Sequence, residues 1–164
     1  MAAKLKPDEA GARGVRRIAR HRIKSALKSL EPRKSDDRSV HEARKDLKRA
    51  RAMLRLLREA LGEATYKREN AAIRDAARPL SEVRDGRVLL DALSSLIKYY
   101  GKSAEALPLV GFKRVLNRRR TQARKKILNQ PGPLRAVRQQ LREAHSRSDQ
   151  WRVGHGAGQW WARE

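Results

Sequence analysis

The chain has 164 residues, enough for one domain with a real hydrophobic core. Lys and Arg total 41 against 18 acidic residues, a formal net charge of +23, and 28 of the cations are Arg, whose planar fork matches phosphate oxygens. The absence of cysteine excludes disulfides and thiolate metal sites. No apolar run reaches membrane-span length and Met1–Asp8 lacks a signal-like apolar centre, so a cytoplasmic protein with a polyanionic partner is expected.

The 3.6-residue period holds from about Glu9 to Glu143 and no segment alternates as a strand does, so the expected fold is all-α, a bundle of four to five antiparallel helices. Residues 1–7 are expected to be flexible, residues 8–147 to form the bundle, and residues 148–164 to be an irregular Gly/Trp-rich tail. The first helix is predicted from about Pro7 to Leu30, with Asp8 and Glu9 favouring its positive end. Pro32 and the polar run to Asp37 break the chain.

Ser39-Val40-His41-Glu42 fits a capping box, so a second helix is predicted from there to Leu61, with Gly62 as its stop. At 100° per residue, Ala43, Leu47, Ala50, Leu54, Leu57 and Leu61 gather near ~200° from His41. His41, Arg44, Lys45, Lys48 and Arg55 gather on the opposite side, with Arg49 and Arg51 flanking. Cations spaced i, i+3, i+4 and i+7 lie along one line about one 5.4 Å turn apart, so a linear polyanion can meet a fresh cation at each turn. A charged helix face is ordinarily solvated surface of mixed sign. Here the acidic residues of the helix, Glu42, Asp46 and Glu59, lie away from the centre of the ladder. A His at a helix start is commonly exposed or capping; protonated, His41 would add a cation to the ladder and make binding pH-sensitive.

A third helix is predicted over about Ala64–Tyr99, with a bend at Pro79 and closure at Gly101. Arg87 falls where its heptad line wants an apolar side chain, and an i,i+4 pair with Asp91 accounts for it; Arg84 is assigned to the binding surface. After a loop around Pro108 and Gly111, a fourth, very basic helix spans about Phe112–Leu128. Pro133 opens a fifth, which reaches about His145. In the tail, Gly154-x-Gly156-x-Gly158 has neither the strand nor the helix that a phosphate loop needs.

Two segments carry a family resemblance. His41-Glu-Ala-Arg44-Lys45-x-x-Lys48-Arg49-x-Arg51, followed by Leu54-x-Leu56-Leu57, resembles the signature helix of the CHAD family, the conserved histidine α-helical domain. Leu80-Ser-Glu-Val-Arg84-Asp85-x-x-Val88 is similar to the family's second hallmark, about forty residues on, although Arg87 stands where the family often has an acidic residue. The resemblance implies two four-helix halves around a basic cavity and a function in binding inorganic polyphosphate. It also implies His41, Arg44, Lys45, Lys48, Arg51 and Arg84 as ligand contacts, and association with polyphosphate granules. It spans about Glu9–Gly156, roughly half of a complete domain. One back-translation of Ala157–Glu164, read one base later, gives Trp-Ala-Val-Val-Gly-Pro-Gly, much as family members continue, so an out-of-frame ending is expected. A homodimer is then expected to supply the missing half.

Other function classes fit less well. The charge would attract any nucleic acid weakly and non-specifically, but aromatics are only 4%, too few for base stacking on the bundle. There is no Glu-x-Glu or Asp-x-Asp pair for a divalent metal, and the four His are scattered. No catalytic site, metal or cofactor is expected.

Overall fold

In the computed structural model, residues 4–6, 9, 11–31, 35–101 and 109–153 are described. The expected flexible stretch 1–7 lies partly outside them, as do the break at 32–34, the loop around Pro108 and the tail from 154 on. The fold is all-α: α1 (Gly11–Ser29), α2 (Asp37–Leu56), the single turn α3 (Arg58–Leu61), α4 (Glu63–Tyr100), α5 (Leu109–Ile127) and α6 (Pro131–Arg147). A 3₁₀ turn, Ser148–Gln150, follows α6.

Apolar residues at helical spacing make one core. Val15, Ala19, Ile23, Ala26 and Leu30 face Val40, Ala43, Leu47, Ala50 and Leu54, and Ile73, Ala76, Leu80 and Val83 of α4 meet Leu134, Val137, Leu141 and Ala144 of α6. Each buried Leu or Ile contributes about 1.5–3 kcal/mol relative to exposure, and the interspersed alanines let the helices approach closely. Among the described residues α2 packs on α1 and α4, α6 packs on the same two helices, and α2 and α6 make no comparable contact. The four therefore stand in ring order α1–α2–α4–α6, with α2 and α6 at diagonal corners. α5 lies chiefly against α4.

The helix ends correct the sequence expectations in instructive ways. α1 is described from Gly11, and Pro7 and Asp8 of the expected start lie outside the described residues; the Glu9 carboxylate accepts from Arg17 Nη2 at 2.6 Å and Nε at 2.8 Å. α2 starts three residues before the expected box. Asp36 is its N-cap: Ser39 N–H donates to Asp36 Oδ1 at 2.7 Å, and Asp36 N–H donates to Ser39 Oγ at 3.1 Å. Asp caps as well as Ser, and the added turn brings Asp37 into the helix ahead of the buried Val40. The expected run to Leu61 is divided at Leu57, where φ −91° and ψ 2° interrupt the helix. Gly62 does end the helical run, at φ +74°. α4 runs through Pro79 as one helix of 38 residues.

The segment after α6 is tied to α1. Trp151 is buried in the core. Arg16 Nη1 donates to its carbonyl at 2.8 Å, Arg20 Nε to Ser148 Oγ at 3.1 Å, and Arg20 pairs with Asp149 at 2.6 Å. Trp151 lies on the far side of the boundary expected at 147. An indole of this size buries apolar area whether or not its neighbours in sequence are helical.

Beyond the main core, α4 and α5 continue as a two-helix arm around the small cluster Leu90, Leu93 and Leu116. Most of the large exposed apolar side chains lie on this arm, among them Leu96, Tyr99, Tyr100, Phe112 and Val115. Among the described residues no helix is long and apolar enough to cross a membrane.

Candidate polyanion-binding cleft

α2 and α4 run antiparallel: Arg44 of α2 reaches Ser81 of α4, and Arg51 reaches back to Asn70. Both helices turn apolar stripes to the core, so the cationic flanks of each meet along the outer seam. They enclose a cleft of about 780 Å³. From α2 come His41, Arg44, Lys45, Lys48, Arg51 and Arg55; from α4 come Arg74, Arg78 and Arg84, with Ser81 between them. Eight permanent cations thus line the cleft against a single carboxylate, Asp75. Between His41 and Arg55 the α2 rim extends for about 21 Å.

The cations fall into two groups. Arg44 is half-buried and fixed: its Nη1 donates to Ser81 Oγ and lies 3.5 Å from the Ala77 carbonyl. Arg51 Nε donates to Asn70 Oδ1 at 2.8 Å, which orients the guanidinium through a neutral partner. Lys48, Arg55, Arg78 and Arg84 enter no ion pair among the described residues. Where acids stand close, the pairing is local: Lys45 Nζ lies 3.4 Å from Glu42, His41 Nε2 lies 3.9 Å from the same carboxylate, and Arg74 Nε lies 2.9 Å from Asp75.

Asp75 is the one carboxylate that lines the cleft. Its carboxyl is held below the ordinary carboxylate range, first by the hydrogen bond from Arg74 and further by the positive charges of Arg74, Arg78 and Arg51. An electropositive seam that stabilises this carboxylate will stabilise other oxyanions there too.

Of the eight residues expected from sequence, seven line the cleft and Arg49 does not. Arg49 and Arg51 sit symmetrically about His41 on the wheel, but only one flank faces α4. The other faces α1, as the 3.1 Å pair between Arg22 of α1 and Asp46 shows, and Arg49 is left exposed. Arg74 and Arg78 were missed. Their i,i+4 spacing, one turn and more before Arg84, is a visible signal on α4, but only the packing shows which α4 face borders α2. Arg87 pairs with Asp91 at 2.9 Å and does not line the cleft, while Arg84 does. Among the described residues no three His, Asp or Glu side chains gather where a metal ion could be held.

A family model for the CHAD domain matches residues 10–157. No curated protein and no solved structure matches the chain.

Proposed function

Because the chain belongs to the CHAD domain family, which is associated with polyphosphate binding, we propose that its α2–α4 cleft holds a run of inorganic polyphosphate. The observation that carries this reading is the charge of the cleft: eight permanent cations face one carboxylate along two antiparallel helices. Arg44 and Arg51, already oriented by Ser81 and Asn70, serve as fixed forks. Lys48, Arg55, Arg78 and Arg84 are free to follow the ligand, and Lys45 and His41 guard the end near Glu42. Arg74 and Arg78 join the contacts expected from sequence.

The role is binding, without hydrolysis. Purified protein supplied with divalent metal is expected to release no orthophosphate from polyphosphate. In the cell the expected place is the cytoplasm, with polyphosphate granules. The exposed cations of α5, such as Arg118 and Arg119, would add weak, salt-sensitive binding to any nucleic acid.

The experiment is binding of labelled long-chain polyphosphate at physiological salt, competed with equal phosphate equivalents of duplex DNA and RNA, and with heparin. Polyphosphate is expected to win, and Arg44→Gln/Lys45→Gln/Lys48→Gln to weaken it by about tenfold or more. Equal competition by every polyanion would reduce the interaction to net charge and overturn the reading.

A further inference from the structure

A second set of unpaired arginines lies on α6. Arg135, Arg138 and Arg142, at i, i+3 and i+7, each sit beside a core position, and none enters an ion pair among the described residues. With Asn129 and Gln130 of the preceding turn they line a cleft of about 410 Å³, floored by Leu128 and Leu134. No carboxylate lines it. Glu143, the one acidic residue of α6, accepts instead from Gln139 at 2.9 Å.

Arg138 sharpens the picture. Its Nε is buried and has no hydrogen-bond partner. A buried donor left unpaired on a charged group is costly, and native structures supply it with a protein group, an ordered water or a ligand. The cleft offers three guanidinium groups and two carboxamides on a concave wall. A carboxylate has two oxygens in one plane and cannot meet three forks arriving from successive turns. A run of phosphoryl groups presents oxygens in several directions and can.

We propose that this α6 cleft is a second phosphoryl-oxyanion site that takes a short stretch of condensed phosphate, with Arg138 at its centre. It shares no lining residue with the α2–α4 cleft, and it sits on the helix diagonal to α2. It rests on the polyphosphate reading for the identity of the ligand alone.

The test is a titration of the full chain with inorganic tripolyphosphate at physiological salt, followed by calorimetry and by the Nε–H resonances of arginine. Two sites are expected, and the Arg138 Nε–H signal is expected to move with one of them. Arg138→Gln/Arg142→Gln is expected to remove one site and leave the other. Arg118→Gln/Arg119→Gln, which removes the same charge from the exposed face of α5, is expected to keep both. An unmoved Arg138 signal in the unaltered protein, or equal losses in the two variants, would overturn the inference. A single remaining site in Lys45→Gln/Lys48→Gln that still moves Arg138 would uphold it. Tripolyphosphate that leaves the α2–α4 arginines unmoved while shifting Arg138 would defeat the reading of the first cleft and leave this one standing.

Discussion

Glu42 is the acid that competes most directly with a ligand for the mouth of the cleft, since it stands within 4 Å of both Lys45 Nζ and His41 Nε2. Such exposed pairs are worth about 0–1 kcal/mol, so Glu42→Gln should tighten polyphosphate binding by about two- to fivefold in a direct titration. At Glu9 the expectation concerns pH. The Arg17 hydrogen bond lowers its pKa from 4.5 to about 2. A depressed folded pKa gives stability that is present above the unfolded value and lost as pH falls through the folded one. The docking of Glu9 on α1 should therefore loosen between about pH 4.5 and pH 2, read by the Arg17 Nε–H signal, and Glu9→Gln should abolish that transition. His145 behaves alike in a milder range. Burial lowers its pKa below 6.5, Arg20 and Lys24 push the same way, and Asp149 opposes them. The unfolded chain thus takes up this proton first as pH falls. Thermal stability should decline below about pH 6.5, and less so in His145→Gln.

At the scale of helices, α5 is held to both α4 and the start of α2. Asp37, in the first turn of α2, accepts from both Arg120 and Arg124 of α5. One turn of α4 is also pressed onto α5: a Cβ at Gly86 would meet the Arg120 Cα and Cβ at 3.1 Å. Alanine in a helix gains about 1 kcal/mol over glycine. Here that gain is opposed by overpacking of about 1–3 kcal/mol against backbone that the Asp37 clamp keeps in place. Gly86→Ala should therefore destabilise the protein in denaturant titrations, and removing the clamp with Asp37→Ala should shrink that penalty. The same packing explains what could be read from sequence. The apolar stripe and the cationic ladder of α2 were legible because both are periodic along one helix. Arg74 and Arg78 were not assigned, because choosing between the faces of α4 requires knowing its neighbours. The early start of α2 was hidden because Asp36 and Ser39 are both good caps, and in the capping box Ser39 serves as the partner of Asp36. Trp151 was hidden for a related reason: the segment that carries it has no helical period, and its anchors, Arg16 and Arg20, lie about 130 residues earlier in the chain.

For the molecule as a whole, the net charge of +23 acts in two opposed directions. In the free protein like charges repel, so added salt should raise the melting temperature by screening them. In the complex the same salt competes with the ligand, so the stabilisation that polyphosphate gives should shrink as salt rises. Melting curves with and without polyphosphate should converge with increasing sodium chloride. The diagonal placement of α2 and α6 has a consequence for mixtures as well as for single molecules. A cleft on the α2–α4 seam and another on α6, with no lining residue in common, would make the protein bivalent toward any strand long enough to outlast one cleft. Bivalent particles mixed with multisite strands form a network, and its mean size depends on proportion. Light scattering should peak at an intermediate ratio and fall again when protein is in excess, because each strand is then saturated and no bridges remain. A variant with one cleft would coat strands without ever joining them.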